Sequence, residues 1–477
     1  MSESNENTPL LPQYSVFTPS QKRLLILTAA LASSFSPFSA NIYYPSINSI
    51  ARDLHVSSSQ INLTITTYMI CQGLAPAFMG SLADQAGRRP AYLLCFIIYI
   101  AGNIALALQH SYPALLILRA VQSCGSSGTV ALASAVAADV ITSAERGMYM
   151  GIASLGNILA PSLGPILGGV LSQYLGWQAV FWFLGVMAML FFVPLVVFFP
   201  ETCRRIVRDG SVQARGWNRS VFNWWKGRGH SLGNESDGEL RRPKITFPNP
   251  LGTLRLLFHR PTGFVLLANG IIYASYYSVT AGLPAQFHEM YDLQDLGIGL
   301  SFIPAGLGSL FSATVNGILV DWNYRRMRMK MGLPITRDQK QDHGEFPIER
   351  TRLQIGLPMM LAAAATVGSY GWILSLHPPL AISLTLIFLI SLFITAAYNV
   401  LNVLIVDLYY TTPATAMAAN NLVRCFLGAA ATAVVHPLSI RWGIGWTYSA
   451  VGMAMVLAIP LLGLVHSRGL QWRVCRE

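Results

Sequence analysis

The chain has 477 residues, of which 53% are hydrophobic and only 11% charged, with a formal charge of +11. Soluble chains carry about 25% charged residues, so the composition excludes an ordinary soluble protein and makes lipid the main solvent. The basic excess does not point to nucleic acid, because it falls in connections between apolar runs rather than along one face.

Apolar runs long enough to span a bilayer, roughly 20 residues each, recur from Leu24 to Leu464. Backbone groups in lipid must bond internally, so such runs are helices, and the alternation of a membrane barrel is missing. The polar leader Met1 to Gln21 reads as disordered. Lys22 and Arg23 then lead straight into a full-length run, unlike a cleaved signal peptide. Six spans are predicted at 24–45, 60–80, 90–109, 112–138, 148–172 and 177–199, then a polar basic stretch over 201–258. Six more follow at 261–285, 296–320, 354–375, 380–408, 414–438 and 445–466. This divides the chain into a cytosolic tail (1–23), a six-helix bundle (24–200), a cytosolic central loop (201–258), a second bundle (259–466) and a tail (467–477). A second long basic connection is predicted from Asp321 to Arg352.

Orientation follows from the excess of Lys and Arg in cytoplasmic loops. With a cytosolic N-terminus, only Arg52 and Arg441 face outward, and Arg119 and Arg424 lie within spans. Both termini are therefore expected in the cytosol. The glycosylation patterns at Asn218 and Asn234 then lie on the wrong side to be modified. The stretch Val221-Phe-Asn-Trp-Trp-Lys226 suits either a plain loop or the membrane surface, which Trp favours. The six cysteines lack metal-ligand spacing and read as reduced packing residues.

Two motifs carry more than hydropathy. Between spans 2 and 3 stands Gly80-Ser-Leu-Ala-Asp84-Gln-Ala-Gly87-Arg88-Arg89-Pro90. Gly80 and Asp84 share a helical face. Gly80 would admit a neighbouring helix, and Asp84 can pair with Arg88 or with exposed N–H groups of a nearby helix end. Together they form a candidate latch between helix ends. Span 5 carries Pro161-Ser-Leu-Gly164-Pro165-Ile-Leu-Gly168-Gly169, in which proline favours a kink and the glycines make a packing groove. The first stretch resembles the loop 2–3 signature of the major facilitator superfamily. A degraded copy, Asn316-Gly-Ile-Leu-Val-Asp321-Trp-Asn-Tyr-Arg325-Arg326, follows span 8 and supports an internal repeat, with Asn316 in place of the expected glycine. The span 5 stretch is similar to the antiporter signature of the twelve-span drug:proton antiporter branch. Leu118-Arg119-Ala-Val-Gln122-Ser-Cys-Gly125, Ser39 to Pro45, Pro200-Glu-Thr202 and Asn420-Asn-Leu-Val-Arg424-Cys extend the resemblance, most closely to fungal multidrug, polyamine and citrate exporters. It implies an all-α membrane protein with a major facilitator fold, twelve helices in two six-helix bundles. It also implies a role for the span 4 arginine in proton coupling.

Mid-span arginines are costly, roughly 2.5–3.5 kcal/mol on insertion scales, and are functional candidates by default. Arg119 lies near enough to a span end to snorkel, and Arg424 could instead bond Asn420 or backbone carbonyls. All 21 acidic residues fall in loops, tails or span ends, Asp139 and Asp407 coming closest to the membrane. A cation exporter would be expected to hold a mid-depth carboxylate. Two buried guanidinium groups suit a carboxylate-bearing substrate instead. The candidate substrate residues are Arg119, Gln122, Arg424, Asn41, Tyr277, Asn399 and Asn420, with Gln72, Asn402, Asn421, Tyr273, Tyr276 and Tyr398 as further lining; helix packing is the plainer role of each. Arginine does not release its proton, and His436 near the outer end of span 11 is either a titrating or a structural histidine.

The function expected from sequence is export of small organic anions, carboxylates such as citrate or itaconate, by proton antiport and alternating access in the plasma membrane. A broad multidrug or secondary-metabolite pump and a transporter-like sensor are the alternatives. No nucleotide loop, zinc spacing or positioned nucleophile supports an enzyme, and no cofactor or metal is expected. The expected partners are lipid, a small-molecule substrate and protons, with the protein acting as a monomer.

Overall fold

The computed structural model describes residues 16–140, 146–208, 212, 216–221, 255–258, 260–332, 346–409 and 413–474. Most of Val221–Lys226, Asn234 and Cys475 lie outside the described residues. Among the described residues every regular element is helical. The long helices are α1 (Pro19–Asn41), α2 (Ser58–Ala86), α3 (Arg88–Leu108), α4 (Tyr112–Val140), α5 (Arg146–Leu175), α6 (Gln178–Phe198), α7 (Arg260–Tyr291), α8 (Ile303–Lys330), α9 (Ile348–Ser375), α10 (Leu380–Leu408) and α11 (Pro413–Val474). Gly443 (φ 81°) interrupts α11. Nine described stretches are long and apolar enough to cross a membrane. Exposed Ile117, Leu190, Ile318 and Leu457 present the outward apolar surface that lipid requires.

Local chemistry sets the ends. Thr18 caps α1 by accepting from the Gln21 N–H, while Gln21 reaches back to the Thr18 N–H. The leader predicted to run irregular to Gln21 therefore enters helix at Pro19. Ser57 and Gln60 repeat this capping box on α2. The first span, placed at 24–45, ends earlier at Asn41. Tyr44–Ser46, containing Pro45, is a short 3-10 turn, and Ile47–Asp53 a short helix. The run placed at 296–320 divides into Asp295–Leu300 and α8, whose second residue is Pro304, where a missing N–H costs nothing. The connection predicted to start at Asp321 is still helical through Lys330.

α1 lies against α4 and α5, α2 against α4, and α3 against α4 and α6. Later in the chain α7 lies against α10 and α11, α8 against α10, and α9 against α10 and α11. These two groups meet along α2 with α11, and along α5 with α8 and Asp295–Leu300.

Candidate functional site

The sharp break between α2 and α3 is made by Gly87, whose φ of 114° and ψ of 157° belong to a region that is essentially glycine's alone. The turn presents the first N–H groups of α3 to Glu201, just beyond α6. Glu201 Oε1 accepts from Arg88 N (2.8 Å), Thr202 N (3.0 Å) and Cys203 N (2.9 Å), and Oε2 from Arg89 N (3.2 Å). Burial pushes the Glu201 carboxyl up, and these N–H donors pull against it. A side chain at position 87 would strike Glu201 Oε2 and Asn218 Oδ1. Arg88 then bridges Asp84 on α2 and Asp139 on α4, its Nε 2.8 Å from Asp139 Oδ2. Arg89 donates to the carbonyls of Phe199 (2.9 Å), Val196 and Trp217 (3.1 Å), closing the C-terminal end of α6. Sequence reasoning quoted Glu201 without giving it this role.

At Gly80, where close approach of a neighbouring helix was expected, a Cβ would meet nothing within 4 Å. Asp321 is exposed on α8. The ion pair at the corresponding place is Arg352 to Asp407, 3.0 Å apart. Asp139 and Asp407 are each the penultimate residue of a 29-residue helix, α4 and α10, and each takes an arginine from the first turns of the preceding helix, α3 or α9.

The opposite end is tied across the two groups. Asp295 Oδ2 accepts from Ser49 (2.6 Å) and Ser172, Gln173 accepts from Leu296 N, and Asn48 donates to Pro284 O. The glycines of α5 permit close approach both within the first group and across to the second. Gly164 and Gly168 meet Asn41 and Ile42, and Gly169 lies against Asp295 and Leu296. Gly299 and Gly306 meet Pro165 and Ser162, so both proline and glycine of the motif lie at contacts; Pro161 sits within α5 beside them.

The interior holds the two arginines. Arg119 is 1% exposed. It donates to Gln122 Oε1 (2.6 Å), and Gln122 donates to Asn103 (2.7 Å). Its guanidinium lies 4.2 Å from the Tyr43 ring centre and 4.5 Å from that of Tyr68, and its Nε is buried without a partner. Arg424 is half-buried on α11, 4.9 Å from the Tyr273 ring centre, and bonds Tyr398 and Asn421. Tyr273 lies tilted against Tyr277 with ring centres 4.6 Å apart, and Tyr277 meets Tyr276 edge to face. Tyr44, from the first group, stacks on Phe302 of the second, and its buried hydroxyl and that of Tyr276 lack partners. The arginines thus stand on either side of one tyrosine-rich region. Among the described residues, the buried carboxylates Glu201, Asp295 and Glu349 all lie at helix ends or connections.

Not every candidate joins this region. Asn420 sits in a buried triad with Asn269 and Asn402, bonds of 2.8–2.9 Å linking α7, α10 and α11. Asn41 donates to Pro37 O one turn back and packs on Gly164. Asn399 is half-buried on α10. His436 is half-buried, with its Nδ1 unpartnered. Asn269, Tyr43, Tyr44 and Tyr68 were given no role from sequence. A lone polar residue in the apolar run of α7 was the available signal for Asn269.

A helical membrane protein with paired charge clusters at its helix ends and arginines inside has the architecture of a secondary transporter. The profile described as Major Facilitator Superfamily matches residues 29–433. The chain is 45% identical to the MFS-type transporter phiD of a fungal species over 96% of this chain and 70% of that protein. It is 34% identical to Citrate exporter 1 of Aspergillus niger over 98% of this chain and 89% of that protein. In fold it is similar to the human organic anion transporter MFSD10, at a TM-score of 0.56 and 17% identity, covering 94% of this chain and all of that one. The chain belongs to the major facilitator superfamily and is a multi-pass membrane transporter.

Proposed function

We propose that the protein exports small organic anions, carboxylates of the citrate or itaconate kind, from the cytosol by proton antiport. The reading rests on one observation above others. Arg424 reaches a tyrosine-rich interior from one side and Arg119 from the other, and the buried carboxylates of the described residues lie elsewhere. A guanidinium offers paired N–H donors that match a carboxylate. The relation to a citrate exporter supports this substrate class. The nine apolar stretches, together with α2, α5 and the arm of α11 beyond Gly443, fit twelve spans with both termini cytosolic. Two bundles of six would rock about the α2–α11 and α5–α8 contacts. The Arg88 cluster would latch the cytosolic face, and the Asp295 cluster the outer one. The protein acts as a monomer in the plasma membrane on this reading.

The tyrosines also suit a flat cation, which keeps a broad multidrug pump as the second reading. Export of citrate and of a cationic drug from cells carrying Arg119→Ala or Arg424→Ala separates the two. The anion reading expects citrate export to fall at least about a hundredfold in Arg424→Ala, the scale of a lost charge-assisted bond pair. Cation export that falls equally in both variants would sink it.

A further inference from the structure

Arg424 does not end at the tyrosines; it is wired to the other group of helices. Its Nε and Nη2 donate to Asn421 Oδ1 at 3.1 and 2.8 Å. Asn421 Nδ2 in turn donates to the backbone carbonyl of Gln72 on α2 at 3.1 Å. The orientation of the amide follows from its neighbours, because a guanidinium has only donors and a carbonyl only accepts. The next residue on α2, Gly73, allows Cys425 to approach, since any side chain there would bring its Cβ within 3.0 Å of Cys425 Cβ. Further along the same seam, the Thr66 and Thr432 hydroxyls meet at 3.1 Å.

We propose that Asn421 is a positioning residue that transmits anion binding at Arg424 to the α2–α11 seam. This rests on the anion reading above. A carboxylate is a stronger acceptor for a guanidinium than a carboxamide oxygen. When it takes the Nε and Nη2 donors, Asn421 Oδ1 is left with the Cys425 thiol, 3.7 Å away and a weak donor. The amide turns to find a partner, and its bond to Gln72 O is lost with it. The substrate therefore favours the conformation in which α2 and α11 separate, which is the differential affinity that a ligand needs to shift such an equilibrium.

The test uses the full-length protein in lipid nanodiscs with citrate as the probe. Thr66→Cys and Thr432→Cys are introduced together, and their oxidative cross-linking is followed by mass spectrometry of the joined peptides, so the native cysteines stay in place. Citrate is expected to slow the cross-link about fivefold or more. In Asn421→Ala, citrate binding holds within about threefold while the citrate effect on cross-linking disappears and turnover falls at nearly constant KM. Asn421→Asp keeps the shape of the side chain. It offers Arg424 a built-in carboxylate and takes the donor from Gln72, so its cross-link is slow without citrate and citrate affinity falls at least about tenfold. An undiminished citrate effect in Asn421→Ala overturns the relay. So does loss of binding in Asn421→Ala as complete as in Arg424→Ala, which would make Asn421 part of the site only. Failure of the parent to bind citrate, itaconate or any other carboxylate overturns the anion reading itself, and the relay with it.

Discussion

Two glycines seven residues apart in the same motif face opposite demands. Gly87 holds a backbone conformation closed to side chains, and its Cβ would strike Glu201. Gly80 lies inside α2 with open space around it. Gly87→Ala should therefore cost about 2 kcal/mol of stability. Gly80→Ala should be neutral or slightly stabilising, since alanine is the better helix former by about 1 kcal/mol. Thermal unfolding of the two variants in detergent checks the contrast; equal melting temperatures would contradict it. The motif's spacing marked both glycines alike. Spacing gives composition on a face, but the partner that makes Gly87 irreplaceable is a carboxylate 114 positions along the chain. The same limit separates Asn420 from Asn421. Neighbours on a helix point about 100° apart, and the rotation of α11 against α2 and α7 turns Asn420 to Asn269 and Asn402 and Asn421 to the Gln72 carbonyl, which leaves Asn421 to meet Arg424 three residues on along the same helix.

The helices are held by charge at one end and by hydroxyl–carboxylate bonds at the other. Arg88 and Asp139 are both nearly buried, so Asp139→Asn leaves a guanidinium short of its main partner and should cost about 3 kcal/mol. Asp407→Asn, whose side chain is more exposed, should cost less. Chemical denaturation followed by helical signal measures both; a larger loss for Asp407→Asn would break the ordering. At the far end, Asp295→Ala would leave Ser49 and Ser172 without their acceptor. Backbone hydrogen exchange around Asp295–Leu300 and the C-terminal turns of α5 should then rise about tenfold, as the loss of roughly 1.4 kcal/mol predicts. Unchanged exchange would remove Asp295 from the clamp. At this scale the sequence was readable where lipid dictates it, because apolar runs of spanning length leave the chain no choice but helix. Helix ends were less so. The early end of α1 and the extension of α8 to Lys330 depend on caps and on where tertiary contacts stop, not on hydropathy.

For the whole molecule, the repeat is visible in the chemistry of the helix ends more than in the motif. The degraded copy pointed to Asp321, which is exposed, while Asp407 repeats Asp139 from the same place on its helix. Ion pairs at equivalent points tie the helix ends of each of the two packed groups, at Arg88 with Asp139 and at Arg352 with Asp407. Among the described residues the buried carboxylates Glu201, Asp295 and Glu349 lie at helix ends or connections, which was legible from sequence because the acidic residues avoid the apolar runs. The meeting of Tyr44 with Phe302 across the two groups was not, since it depends on how the bundles face each other. The most direct test of the transport reading is citrate flux into sealed vesicles containing only this protein, under an imposed pH gradient and without ATP. Citrate should move opposite to the protons, its flux collapsing when the gradient is dissipated and abolished in Arg424→Ala. Citrate that stays still while an organic cation moves under the same gradient would contradict it.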